Sequence, residues 1–454
     1  MYNLTEELTF DDRDEYNRKP IAEKVINLLA SNIPVSPMVI DGGWGTGKTE
    51  FCLKLINLIK SEGAPFTPIY IDAFQADHAD EPLMTLLASI LRLMDDDKKR
   101  DKLIEKALPA IRFGVKTTLK AGVGWVLKQD VAGLAEGFES EVKKAGDEAI
   151  NHAVEALLKD HVNANGSIEL LKTALTELAE KSPIVIFIDE LDRCRPDFAV
   201  AMLESIKHIF DVEGVEFVLI TNTAQLRASI NHCYGPTVDA QRYLDKFIGF
   251  SFTLPVSFSA NGHNEESSSK VHFSNLINKS EFLSDSALAN NGYAIRGFAD
   301  ELLKINRLSL REAETFTHYL EVYQVLTDKR GLDSRINFGH GLLRVFGVFL
   351  FCFCPEIHSQ LSEDEIDARA ITSVLGQKEY PYIADGRPEH IDAISAMIWM
   401  VDNTSKKEFP LQDDEVTKEW EIVLNDYFSG QFYCHSDSRI KILTDVIQIL
   451  KLGQ

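Results

Sequence analysis

The sequence predicts an α/β fold, a doubly wound parallel sheet followed by a mainly helical C-terminal region, and three observations point to it. Four runs are almost uniformly apolar: MVI (38–40), TPIYIDAF (67–74), PIVIFIDELD (183–192) and VEFVLITN (215–222). Amphipathic helical sequence separates them, and strands this apolar, alternating with helices, belong to a parallel sheet covered on both faces. After about residue 256 the strand signal fades. RGFADELLKINRL, LREAETFTHYLEVYQVL and DSRIKILTDVIQIL all show helical periodicity instead.

In chain order, MVI leads into a glycine cluster and then KTEFCLKLINLI, where Phe51, Leu55, Leu58 and Ile59 fall at helical spacing. The second strand, 67–74, follows. From about 95 to 165 the sequence turns charged and alanine-rich, which reads as a helical insertion. The third and fourth strands come next. SANGHNEESSSK (259–270) is polar and rich in glycine and serine, and is expected to be a strand-free boundary. The expected organisation is a sheet domain over 1–94 and 166–255, the insertion at 95–165, and a mainly helical domain over 256–454. VFGVFLFCFC (345–354) is too short to cross a bilayer and fits a buried helix or strand. No internal repeat is visible.

A net charge of -23 repels phosphate backbones, so nucleic acid is open as a partner but is not indicated. Six cysteines and an opening MYNLTEELTF without a charged-then-apolar leader fit reduced thiols in a cytoplasmic protein. Cys352, Cys354 and His358, with Cys434 and His435, are spaced unlike a zinc site and are expected to be buried instead.

The glycine cluster carries the chemistry. Gly42, four residues, then Gly47, Lys48 and Thr49 match the phosphate-loop pattern. Across Gly42, Gly43, Trp44, Gly45, Thr46 and Gly47 the backbone amides curl around phosphate, and the helix that follows, through Glu50, points its positive end at it. Lys48 reaches the β/γ oxygens and Thr49 offers a hydroxyl to Mg²⁺. The acidic end of IVIFIDE complements it: Asp189 is assigned to Mg²⁺ and Glu190 to polarising the attacking water. Asn222 ends the next strand, either orienting that water or capping the following helix. Arg193, Arg242 and Arg311 are candidate phosphate stabilisers, with structural ion pairing as the alternative for each. DVEG (211–214) and NKSE (278–281) imitate guanine-nucleotide motifs, but DVEG follows a helix and Glu281 stands where an Asp is needed, so ATP is preferred.

Taken with DEYNRKPIAEKVINLL before the loop, GGWGTGKTEF, IYIDAFQADHADEPL, IVIFIDELDRCRPDFAVAMLESIKHIF, VEFVLITNTAQLRASI and QRYLDKFIGFSFTLP, the first 255 residues outside the insertion resemble the KAP family of P-loop NTPases. The resemblance implies a P-loop fold of the additional-strand type, with Lys48 and Thr49 in the first motif, Asp189 and Glu190 in the second, and Asn222 at the sensor position. It further implies that Tyr16, Arg18 and Ile21 line the adenine. Many members carry transmembrane hairpins after the second strand. Here ALPAIRFGVKTTLKAGVGWVLKQD holds Arg112, Lys116, Lys120 and Lys128, so no span is expected. Three of those charges recur every fourth residue, as one face of a helix.

The expected activity is Mg²⁺-dependent ATP hydrolysis that switches conformation or assembly of a multiprotein complex. The resemblance suggests anti-phage defence or signalling, with a homo-oligomer, a partner effector protein, or both. Two alternatives stand beside it, a nucleotide-gated oligomeric scaffold with little hydrolysis and a DNA-associated motor.

Overall fold

The computed structural model describes residues 8–77 (without 32), 172–259 (without 174, 208 and 210), 265–289, 293–383 (without 364), 388–404, 414–428 and 436–452. The insertion expected at 95–165, with its basic stretch, lies outside the described residues, as do Cys434 and His435. The chain divides into two compact units, Met1–Pro255 and Val256–Gln454.

In the first unit, β1 (Met38–Asp41), β2 (Thr67–Asp72), β3 (Ile184–Asp189), β4 (Val215–Thr221) and β5 (Phe250–Thr253) form one parallel sheet in the order β2-β3-β4-β1-β5. β4 lies between β1 and β3, and it is the additional strand expected. Alternate residues feed opposite faces. Met38, Ile40, Val185, Phe187, Val218 and Ile220 pack with residues of α1 (Lys19–Leu29) and α2 (Lys48–Ser61). Val39, Ile186, Ile188, Phe217 and Leu219 pack on the other face with α4 (Pro196–Lys207), α5 (Thr223–Tyr234) and α6 (Ala240–Leu244). Each fully buried Ile, Val or Phe contributes roughly 1.5–3 kcal/mol, which is why a sheet with two dry faces needs apolar runs.

The register brings Asp72 opposite Asp189, and Asp41 opposite both Thr221 and Thr253, so the strands' carboxyl ends line one edge. Two strands end earlier than the apolar runs suggest. β2 stops at Asp72, whose carboxylate accepts from Gln75 N at 2.8 Å and caps the short helix α3 (Ala73–Ala76). β3 stops at Asp189, because Glu190 takes a left-handed backbone (φ 59°) that opens a 3-10 turn over Leu191–Arg193.

The second unit opens with β6 (Ser257–Ser259) paired antiparallel with β7 (Glu265–Ser267). This corrects the expectation that 259–270 is strand-free. Ladder bonds are made by the backbone, so polar side chains did not prevent them. Helices follow: α7 (Ser268–Lys279), α8 (Tyr293–Ile305), α9 (Leu310–Leu326), α10 (Phe338–Phe353), α11 (Pro355–Ser362), α12 (Ala368–Val374), α13 (His390–Val401), α14 (Asp414–Phe428) and α15 (Ser436–Leu450). The apolar run at 345–354 is helical, since α10 buries Val345, Phe346, Val348, Phe349 and Leu350. Cys352 and Cys354 sit half-buried at its end, where desolvation pushes their thiols up to about 12 and about 11. Among the described residues no group of three or more potential ligands could hold a metal ion. No helix among them is long and apolar enough to cross a membrane.

Candidate functional site

The loop between β1 and α2 has the backbone that its glycines allow. Gly45 (φ 73°) and Gly47 (φ 82°) are left-handed, and Gly47 is the N-cap of α2. A Cβ on Gly42 would stand 2.9 Å from Thr46 Oγ1, so the cradle closes only on a hydrogen. Thr46 Oγ1 donates to Gly43 O at 2.9 Å, and Lys48 Nζ donates to Gly42 O at 2.7 Å and Gly43 O at 3.0 Å. The first amides of α2 have no intrahelical acceptor and sit at the positive end of its dipole, where an anion is favoured. Burial lowers the pKa of the Lys48 ammonium, while the fields of Asp192, Asp189 and Asp41 oppose that shift.

Behind the loop lies Arg18, only 6 % exposed, whose guanidinium donates to Thr46 O at 2.9 Å and Pro255 O at 3.3 Å. It stacks over the buried Tyr16 ring at 5.0 Å. These contacts tie Arg18 to the loop. Glu50 is committed to ion pairs with Arg13 and Lys54, each at 2.8 Å, which fasten the lead-in segment to α2.

At the end of β3, Asp189 is 1 % exposed. It accepts from Glu190 N at 2.8 Å and from Tyr70 Oη at 3.2 Å. Burial raises its pKa to about 6 against those two donors and the nearby Thr49 side chain. Glu190 follows in its left-handed turn and pairs with Arg193 Nη1 at 2.8 Å. Asp192, 9 % exposed, accepts from Trp44 Nε1 at 2.7 Å and from Thr221 Oγ1 at 3.2 Å. The residues present therefore fit a nucleoside triphosphate with Mg²⁺: a cradle that a Cβ would fill, beside a buried carboxylate with the Thr49 hydroxyl near it, both hard oxygen ligands.

Three other candidates are placed differently. Asn222 uses its side-chain oxygen to cap α5, accepting from Ala224 N at 3.1 Å and Gln225 N at 3.4 Å. Of its two alternative roles, the cap is the contact it makes. Arg242 is 85 % exposed and pairs with Asp239 at 3.1 Å. Arg311 stands in the first turn of α9, in the second unit.

A model of the KAP family P-loop domain matches residues 18–322. The chain belongs to the KAP family of P-loop NTPases. The family domain thus takes in the sheet and continues through most of α9, and it makes the glycine cradle a nucleotide-binding loop. No curated protein matches this KAP-family chain. Among solved structures, "Structure of C. elegans PCH-2" matches over 78% of this chain and 67% of that one, at 13% identity and a TM-score of 0.24. A likeness that low says nothing of chemistry here.

Four residues at or beside the site escaped the sequence reading. Tyr70 lies mid-strand, where an alternating pattern gives no hint that its hydroxyl reaches Asp189. Asp192 reads as a turn acid. Asp77 and Arg195 pair at 3.0 Å, with Arg195 Nη2 also donating to Asp77 O at 2.9 Å, which ties the end of α3 to the start of α4. That contact spans 118 positions and only topology reveals it.

Proposed function

We propose that this KAP-family protein is a Mg²⁺-dependent ATPase whose cycle switches the conformation or assembly of a multiprotein complex. The observation that carries this reading is the buried Asp189 carboxylate at the end of β3, near the Thr49 side chain that follows the glycine loop, with Glu190 next in sequence. Bound Mg²⁺ would neutralise charge on the β and γ oxygens. Thr49 and Asp189 would hold it, Asp189 through its water shell. Lys48 would leave the Gly42 and Gly43 carbonyls for phosphate oxygens. Glu190 would orient a water for in-line attack and take its proton. Arg193, one turn on, is the cis candidate for offsetting phosphate charge. Arg242, which is highly exposed, suits action in trans on a second copy, and Arg311 is kept as a third candidate.

A second reading has its own observation. The Glu190–Arg193 ion pair neutralises the proposed base, as a nucleotide-gated scaffold with slow hydrolysis would need. Phosphate release by the wild type, Lys48→Ala and Glu190→Gln separates the two, because a scaffold binds ATP and changes assembly without turnover. A cytoplasmic role in anti-phage defence or related signalling rests on family resemblance, and the effector chemistry would then reside in a partner protein. A DNA-associated motor is disfavoured by the net charge of -23.

A further inference from the structure

Asp192 has no part in the chemistry proposed above, yet it joins three strand ends. One oxygen accepts from Trp44 Nε1 at 2.7 Å and the other from Thr221 Oγ1 at 3.2 Å. Thr221 closes β4, and its carbonyl accepts from Gly42 N at 3.3 Å. Glu190 lies two residues before Asp192, at the start of the same turn. Trp44 is 52 % exposed between two glycines of the loop. A ring left that open gains little from burial, so the hydrogen bond rather than packing fixes its place.

The position is also telling. Lys48 Nζ, the group that reaches β and γ phosphates in such loops, rests on the carbonyls of Gly42 and Gly43. That marks the γ end of the cradle, and Trp44 is the next residue. Among the carboxylates whose fields support the Lys48 ammonium, Asp192 ranks ahead of Asp189.

We propose that the Trp44–Asp192 hydrogen bond is a latch that holds the γ end of the loop against the turn carrying Glu190, so that Trp44 and Asp192 are positioning residues through which the site distinguishes a triphosphate from a diphosphate. This rests on the reading that the loop takes ATP with its γ-phosphate facing Glu190. A merely structural bond would change stability and leave that discrimination alone.

The test uses the full chain and needs no hydrolysis. Dissociation constants for ADP and for a hydrolysis-resistant ATP analogue, each with Mg²⁺, are measured by calorimetry for wild type, Trp44→Phe, Asp192→Ala, which removes the acceptor, and the double variant. Trp44→Phe keeps a ring at a half-exposed position and removes only the donor. Each single variant is expected to lower the preference for the ATP analogue about tenfold while ADP affinity stays within about threefold. The double variant should lose no more than either single. Thr221→Val removes the other anchor without changing a loop residue and should give a partial loss; if Asp192→Ala does not fold, Trp44→Phe and Thr221→Val are compared instead. Preference within twofold of wild type in Trp44→Phe, or losses that multiply in the double variant, overturns the latch. Absence of turnover in a wild type that discriminates normally sinks the hydrolysis reading alone. A wild type that binds neither nucleotide sinks both.

Discussion

Asp189 concentrates the conflict between folding and function at the residue scale. Its pKa is raised from 3.8 to about 6 mainly by burial, so the charged form costs the folded state free energy. The sign follows from linkage: a raised folded pKa gives stability that is full below about 3.8 and is lost as pH rises through about 6. Metal-free Asp189→Asn is therefore expected to be more stable than wild type at pH 8, by roughly 1–3 kcal/mol after its weaker acceptor is counted, and the gap should close towards pH 4. Thermal melts with chelator at the two pH values check this; equal melting temperatures at pH 8 would contradict it. Asn222 offers a second test. Asn222→Ser keeps a capping oxygen, so if the cap is its whole role, both stability and kcat should stay near wild type, whereas Asn222→Ala should lose about 1 kcal/mol. A large fall in kcat for the serine variant would show a role at the phosphate instead. The loop from Gly42 to Thr49 was legible because a phosphate cradle dictates its spacing, and Asp189 and Glu190 stood out as acids ending an apolar strand. Tyr70 and Asp192 were not, since a partner more than a hundred residues away leaves no local pattern.

At the scale of elements, β1 to β4 declared themselves by their apolar runs; their ends did not, and neither did β5, a short FSFT segment with three exposed residues. Where a strand stops depends on one backbone angle, as at Glu190, or on one cap, as at Asp72. The β6–β7 pair was hidden for a different reason: its ladder is made of backbone bonds under polar side chains. Helix packing in the second unit was equally illegible, although glycines reveal it afterwards. In α10, a Cβ at Gly339 would stand 2.4 Å from Tyr427 O, and one at Gly347 would stand 2.9 Å from Val446 Cβ in α15. Alanine normally gains up to about 1 kcal/mol over glycine within a helix. Overpacking of a close contact costs about 1–3 kcal/mol, so here the sign reverses. Gly339→Ala, pressed against backbone that cannot rotate aside, should be the more destabilised of the two in denaturant melts, and a stabilised Gly339→Ala would refute the close approach.

For the whole molecule, the sheet order is what makes the site: β4 between β1 and β3 places the loop, Asp189 and Asn222 at adjacent strand ends. Charge restricts the partners at this scale. With a net charge of -23, binding to duplex DNA at about 150 mM salt should be undetectable by fluorescence anisotropy, and tight salt-dependent binding would revive the motor reading. The switch itself is read as assembly: light scattering should give a different mass for Glu190→Gln with ATP than with ADP, because that variant is held in the triphosphate state. Equal masses would remove assembly as the output. The most direct test of all is phosphate release with ATP and Mg²⁺ by wild type beside Glu190→Gln, with ATP binding measured in both. The expected result is turnover by the wild type and a variant that binds ATP with turnover at least a hundredfold slower, on the order of what loss of a positioned base costs. A wild type that binds ATP without hydrolysing it would contradict the ATPase switch, and a Glu190→Gln variant as fast as wild type would contradict the assignment of Glu190.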